Sequence, residues 1–234
     1  MSKVLIIIPA YNESKSIENV VNKVIKECKD CDYVIINDGS SDETMTICEG
    51  NGYNTIDLPL NLGLSGAFCA GMKYAFYLNY DFAIQFDGDG QHNAGDISKL
   101  IDRAKGKVNE VDIVIGSRYI HEKKPVSFRM VGSRIISACI RITTGKTIVD
   151  PTSGMRLYNK KVIGYFAKGM MNFDPEPDTI AYLLRCGLKV DEVQVSMNER
   201  MYGKSYLGLS NSLKYMFQIC LSILFAQWFR RKIK

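Results

Sequence analysis

Between residues 4 and 117 short apolar runs alternate with amphipathic segments, and four of the runs end in a cluster of polar residues. Residues 4–8 are continuous and largely β-branched, as expected of a strand covered on both faces. Ile17, Val20, Val21, Val24 and Ile25 then follow helical spacing, with Ser14 or Ser16 as the N-cap. The pattern predicts further strands at 33–36, 54–58, 82–86 and 112–115, and helices at 42–49, 64–78 and 97–104. Such alternation implies an α/β fold, a mainly parallel sheet wrapped by helices. In sheets of this kind ligands bind beyond the carboxyl ends of the strands. The polar clusters after Ile8, Ile36, Phe86 and Ile115 all fall at those ends and mark the expected site.

With 46% hydrophobic and 24% charged residues over 234 positions, the chain can bury a large core without disulfides or a structural metal. A disordered tail, a collagen-like repeat and a many-span membrane protein are excluded. Seven cysteines form no regular framework, which fits a reducing compartment, and Cys28 and Cys31 make a lone CxxC with no second pair. The opening apolar run is too short for a signal peptide. The net charge of +5 is unevenly spread. Arg118, Lys123, Lys124, Arg129, Arg134, Arg141 and Lys146 face only Glu122, and Arg230, Arg231, Lys232 and Lys234 crowd the end. Two cationic regions on an otherwise acidic body suit phosphate-rich partners.

The second half is less regular. Residues 128–142 can be laid out as a helix with Arg129, Ser133, Ser137 and Arg141 on one face and Val131, Ile135, Ala138, Cys139 and Ile142 on the other. That pattern suits a helix in a membrane interface and, equally, a core helix with an exposed basic face. Residues 213–229 are the most apolar stretch. As a helix they would run about 25 Å, short of a hydrocarbon core of about 30 Å, so a helix on the membrane surface is expected rather than a span. Docking on a partner's helices and packing on this domain are the alternatives. The expected organisation is one α/β domain over 1–206, including a basic segment at 119–146, followed by an apolar helix and basic tail over 207–234.

The chemistry concentrates in Asp87-Gly88-Asp89-Gly90-Gln91 after the fourth predicted strand. Two carboxylates one residue apart can share a hard divalent cation, Mg²⁺ or Mn²⁺, with glycines turning the backbone around it. Such an ion stabilises charge on a departing phosphate. An Asp-Gly turn closing a hairpin is the plainer reading of the same residues. Pro9-Ala10-Tyr11-Asn12-Glu13 offers a rigid turn, an aromatic face and a carboxylate for a base and ribose. Asp38 is placed to accept a base's ring N–H, and Gly116-Ser117-Arg118 sets a guanidinium where phosphate charge gathers. His92 and His121 are the only histidines. His92 reads better as a supporting residue than as a metal ligand.

These segments, with Asn61-Leu62-Gly63, Asp150-Pro151-Thr152-Ser153-Gly154-Met155-Arg156 and Arg200-Met201-Tyr202-Gly203-Lys204-Ser205, resemble the motif series of family-two glycosyltransferases of GT-A fold. The closest likeness is to the branch of dolichyl- and polyprenyl-phosphate sugar synthases, over residues 3–206. The resemblance implies a nucleotide-sugar donor, a UDP-sugar before a GDP-sugar, a divalent metal, and transfer with inversion. By that similarity Pro9, Tyr11, Glu13, Asp38 and Gly63 would contact the nucleotide. Asp87, Asp89 and Gln91 would hold metal and diphosphate, Arg118 and Arg200 would meet donor or acceptor phosphate, and Ser153 and Lys204 would line the substrate site. Many such synthases carry a lysine after the serine of the last motif; here Tyr206 stands there and Lys204 precedes the serine.

The acceptor divides two enzyme readings. A sugar hydroxyl needs a general base, for which Asp174, Glu176 and Asp178 are candidates when they are not capping the helix at 179–185. A lipid phosphate, with a second pKa of about 6, is already anionic and needs a cationic cradle and an apolar route instead. Transfer to polyprenyl phosphate at the cytoplasmic membrane face is therefore expected first, and elongation of a lipid-linked saccharide second. A small membrane protein or a second copy of the chain are candidate partners. A dinucleotide oxidoreductase and a P-loop enzyme are excluded by their missing glycine motifs. A nucleic-acid binder lacks a stacking platform or reading helix. A lapsed transferase serving as a membrane scaffold is the non-enzyme alternative, and intact Asp87, Asp89 and Arg118 argue against it.

Overall fold

The computed structural model describes residues 2–106, 110–121, 128–169, 175–198, 209–226 and 229. Its sheet contains β1 (Val4–Ala10), β2 (Asp32–Asn37), β3 (Thr55–Asp57), β4 (Phe82–Gln85), β5 (Ile113–Ser117), β6 (Arg156–Asn159) and β7 (Val190–Gln194), in the order β3-β2-β1-β4-β6-β5-β7. All neighbours run parallel except β6, which is antiparallel to both β4 and β5. The helices are α1 (Ile17–Glu27), α2 (Thr44–Gly50), α3 (Gly63–Tyr77), α4 (Ile97–Lys105), α5 (Phe128–Thr144), α6 (Lys160–Ala167), α7 (Pro177–Arg185) and α8 (Leu209–Leu221). A π-helical turn, Ser222–Ala226, extends α8.

Alternation along β1 divides the core. Val4, Ile6 and Ile8 point to one face, against Val20, Val21 and Val24 of α1 and Ile97 and Leu100 of α4. Leu5 and Ile7 point to the other, against Phe68 and Met72 of α3, with Ile136, Ile140, Ile163 and Ile180 in the same cluster. At Gly71 a side chain would collide with Ile7, so the small residues of α3 do allow close packing on the sheet. Ser16 is the N-cap of α1 by position, but its hydroxyl donates to the Glu13 carboxylate instead of capping the helix.

Two features of the second half differ from the sequence pattern. On α5 the buried residues are Met130, Ser133, Ile136, Cys139 and Ile140, whereas Val131, Ile135, Ala138 and Ile142 are exposed beside Arg134 and Arg141. Cys139 has thus moved to the core side, and the solvent face mixes aliphatic and basic residues. Ser133 is buried and Ser137 half-buried; a short hydroxyl can be satisfied by the helix itself, as where Ser137 donates to the Ser133 carbonyl at 3.0 Å. The C-terminal helix, expected on a membrane surface, packs on this domain along one side. Ile219 and Ile223 are buried, Ser222 donates to Asp178 at 2.6 Å, and the Tyr215 hydroxyl donates to Glu176. Its other side leaves Phe217, Leu221 and Phe225 exposed. Among the described residues no helix is long and apolar enough to cross a membrane.

Candidate functional site

A cavity of about 660 Å³ opens beyond the carboxyl ends of β1, β2 and β4. It lies where the strand order reverses between β1 and β4, the crevice in which such sheets take their ligands. Pro9, Ala10, Tyr11 and Glu13 line it from β1, Asp38 from β2, Asn61, Gly63 and Leu64 from the start of α3, and Asp87, Gly88 and Asp89 from β4. Every nucleotide-contacting residue expected from the motifs is therefore brought together.

The walls are built by loops that hold each other. Asn12 sits at φ 55°, a conformation that Asn tolerates, and its side-chain oxygen accepts from the Ser41 and Asp42 amides at 2.8 and 3.3 Å. Burial pushes the Asp42 carboxyl up, but hydrogen bonds from Thr44 and Ser14 outweigh it and hold the group below its ordinary value. Gly39, at φ +64°, lies so close to Asn61 that a Cβ would stand 2.8 Å from the Asn61 nitrogen. One oxygen of buried Asp38 accepts from the Leu62 amide at 2.7 Å, which fixes the start of α3 against the cavity. One of the two Asp38 carboxylate oxygens is thus committed to the wall.

The acidic loop is supported from beneath. His92 is buried, its Nδ1 accepts from the Asp87 amide at 3.1 Å, and its ring stands edge-on to Phe86 at 5.4 Å. It shapes the loop, as expected of a supporting residue. Asp89 accepts from the Gln91 amide at 3.0 Å, and Gly90 takes φ +77° to make that turn. Oδ1 of Asp87 is buried with no hydrogen-bond partner among the described residues. A lone carboxylate oxygen of this kind fits a divalent cation, whereas an ordinary Asp-Gly turn would satisfy it internally. Among the described residues no cluster of three or more His, Cys, Asp and Glu side chains encloses a metal. Two carboxylates with substrate phosphates completing the shell are the arrangement Mg²⁺-like ions accept.

Beyond Asp87, on the side away from the cavity, lies a second set of loops. Because β6 is antiparallel, its first residue, Arg156, stands at the same sheet edge as the ends of β4 and β5. Gly154 there faces Asp87: a Cβ would come within 2.6 Å of Asp87 Oδ2. The Arg156 side chain is buried and donates to the carbonyls of Pro151, Ser153 and Pro175 at 2.8–2.9 Å. Arg118 holds Asp150 in a two-pronged ion pair, Nε to Oδ2 at 2.6 Å and Nη2 to Oδ1 at 2.8 Å. Burial alone would lower the Arg118 pKa, and the Asp150 carboxylate more than reverses it.

Several expected site residues thus have prior commitments. Arg118 is first an ion-pair partner, its Nε and Nη2 engaged by Asp150 and Nη2 also by the Thr152 hydroxyl. Ser153 is buried inside its loop, where its hydroxyl accepts from the Met155 amide at 3.3 Å. Gln91 and Asp178 do not line the cavity, and Asp178 is turned to Ser222. Arg200, Lys204 and Asp174 lie outside the described residues. Sequence reasoning included Asn61 in a motif without giving it a role, although it lines the cavity, and missed the pairing of Arg118 with Asp150. The Asp-Pro turn at 150 was the available signal, since an acid opening a turn is positioned to meet a nearby cation.

The fold is GT-A: a glucosyl-3-phosphoglycerate synthase from Mycobacterium tuberculosis, solved with Mn²⁺, uridine diphosphate and phosphoglyceric acid, superposes with a TM-score of 0.71 at 14% identity, over 96% of this chain and 79% of that one. The chain belongs to glycosyl transferase family 2, whose model matches residues 5–166, and it is a glycosyltransferase. It is 27% identical over 229 residues to a polyprenol monophosphomannose synthase of Mycolicibacterium smegmatis, covering 93% of this chain and 85% of the relative. To a UDP-N-acetylglucosamine–dolichyl-phosphate N-acetylglucosaminyltransferase of Methanococcus voltae it is 33% identical over 183 residues, 68% of this chain and 70% of the relative. An undecaprenyl-phosphate mannosyltransferase of Micrococcus luteus is 28% identical over 218 residues, 88% of each chain. The relatives fall in the polyprenyl-phosphate sugar synthase branch to which the motifs pointed.

Proposed function

We propose that the protein transfers a sugar, with inversion, from a nucleotide-sugar donor to polyprenyl phosphate at the cytoplasmic face of a membrane. The observation that carries the reading is Asp87, whose buried, unpartnered oxygen stands at the cavity's edge between the donor walls and Gly154. Pro9, Tyr11, Glu13, Asp38 and Gly63 take the nucleotide, and a UDP-sugar is the preferred donor, in line with the uridine diphosphate named for the solved neighbour. Asp87 and Asp89, with Gln91 beside them, hold Mg²⁺ or Mn²⁺, which supplies charge stabilisation for the departing diphosphate. Arg118, Arg200 and Lys204 supply the remaining positive charge towards phosphate.

Lipid phosphate is favoured as acceptor on two grounds. The relatives are named for polyprenol, undecaprenyl and dolichyl phosphate. Two of the three candidate bases for a sugar hydroxyl are committed to the C-terminal helix and do not line the cavity, Asp178 accepting from Ser222 and Glu176 from Tyr215; the third, Asp174, lies outside the described residues. An anionic phosphate oxygen needs no base: it attacks the anomeric carbon from the side opposite the diphosphate. The exposed Val131, Ile135, Ala138 and Ile142 of α5, beside Arg134 and Arg141, together with Phe217, Leu221 and Phe225, form the face turned to the bilayer. Basic residues near an anionic leaflet each contribute about 1 kcal/mol.

The test is incubation with a panel of nucleotide sugars, polyprenyl phosphate and Mn²⁺, followed by product mass. A glycosylated lipid phosphate and one nucleoside diphosphate per turnover are expected. The same release from Asp87→Asn at the wild-type rate would remove Asp87 from the mechanism. Products only with a saccharide acceptor would transfer the reading to chain elongation.

A further inference from the structure

The segment from Arg118 to Asp150 leaves the sheet after β5, carries α5, and returns next to Asp87. Both of its roots are held by one edge strand. Gln194 of β7 accepts the Ile120 and His121 amides on Oε1 at 2.9 and 3.1 Å, and its Nε2 donates to the Arg118 carbonyl at 2.9 Å. Glu192, two residues earlier and hence on the same face of the strand, accepts the Val149 amide at 2.6 Å and the Asp150 amide at 2.9 Å. Asp150 then carries Arg118. The strand continues to the acidic loop: Met197 bridges His92, and the Asn198 amide donates to the Gln91 carbonyl at 2.8 Å.

The Glu192 position is costly. Burial raises its pKa, the Val149 and Asp150 amides work against that rise, and the nearby Asp150 charge adds to it. A second half-buried acid beside Asp150 raises the electrostatic cost of this corner, and it is kept ionisable by the backbone amides it holds. Both roots lie beyond β6 and β5, across β4 from the cavity, on the side that the proposed function gives to the lipid phosphate.

We propose that Glu192 and Gln194 are positioning residues which clamp the two roots of the α5 excursion, so that the lipid phosphate arriving along α5 meets Arg118 and the Asp87 edge in register. The proposal rests on the transfer to lipid phosphate described above. The test uses the full chain, short-chain polyprenyl phosphate and the preferred donor, with thermal melting as a control for folding. Gln194→Ala is expected to raise the KM for lipid phosphate about tenfold, with kcat and donor KM within about twofold of wild type. Gln194→Glu keeps the oxygen facing the Ile120 and His121 amides but loses the donor to the Arg118 carbonyl, and should recover only part of that loss. Amide exchange should quicken at 118–121 in Gln194→Ala and at 149–150 in Glu192→Ala. Equal rises in donor and acceptor KM, or unaltered exchange, would overturn the clamp. A wild-type protein inactive on lipid phosphate would instead overturn the acceptor reading, leaving the exchange data to decide the clamp by the same criterion.

Discussion

The two sides of β4 are held together in different ways. On the donor side, loops a few residues long fasten one another through side-chain-to-backbone bonds: Asn12 to Ser41, Asp42 to Ser14, Asp38 to Leu62. On the far side an ion pair, Arg118 with Asp150, is central, and acidic side chains reach further along the chain, Glu192 to the Val149 amide and Asp178 to the Ser222 hydroxyl. The donor side encloses a cavity, while the other exposes aliphatic and aromatic side chains. The proposed transfer calls for a fixed pocket for a nucleotide and an open face for a lipid. The parallel strands β1, β2 and β4 end at the cavity, and antiparallel β6 joins them to the more open side.

The contrast can be broken most severely at the boundary between the two sides. Asp89→Asn should lower kcat by about 10²–10³-fold, the scale of losing a transition-state charge stabiliser, with little change in melting temperature. Steady-state release of nucleoside diphosphate measures it. A fall in stability instead would make Asp89 a fold residue.

The next effect separates the two sides of the C-terminal helix. Ile223→Ala should destabilise the protein by about 2–5 kcal/mol in urea unfolding, because the residue is fully buried. Phe225→Ser should leave unfolding nearly unchanged and weaken sedimentation with anionic vesicles. Equal stability losses would mean that both sides are core.

Gly154→Ala tests how closely the far side abuts the acidic loop. The new methyl would lie 2.6 Å from Asp87 Oδ2, so the carboxylate must shift. A displacement of that order lowers turnover by up to about 100-fold. Tighter Mn²⁺ binding in calorimetry would contradict it.

The smallest effect is on acid stability. Asp42 and Asp96 are both held below the ordinary aspartate value: burial raises each, and hydrogen bonds, from Thr44 and Ser14 in one case and Lys99 and Ser196 in the other, outweigh it. A depressed folded pKa contributes stability that is complete above the unfolded value of about 3.9 and is lost as pH falls through the lower folded value. Melting temperature should therefore drop as pH falls below about 4, and less steeply in Asp96→Asn.

The donor side was legible because its signals are local. Val4 to Ile8 announces a strand, Ile17 to Ile25 a helix, and each polar cluster follows its strand directly in sequence. The far side was not. The strand at Arg156–Asn159 is only four residues long and runs directly into α6 through Asn159, which caps it, so no run of period two stands out. In β7, Asp191 and Glu192 interrupt the apolar pattern because both have partners elsewhere, Arg103 for one and the Val149 and Asp150 amides for the other. The face of α5 was misassigned for a related reason: buried Ser133 and exposed Ile135 reverse the usual preference, and periodicity has no means of knowing which side meets water.

The docking of Tyr215 and Ser222 onto Glu176 and Asp178 has a practical consequence. The greasiest part of the chain is also a cover for its own interior, so shortening it to improve handling in water would uncover Ile136, Ile140 and Ile180 in exchange. Mild detergent or lipid nanodiscs, rather than truncation, are the route to well-behaved material.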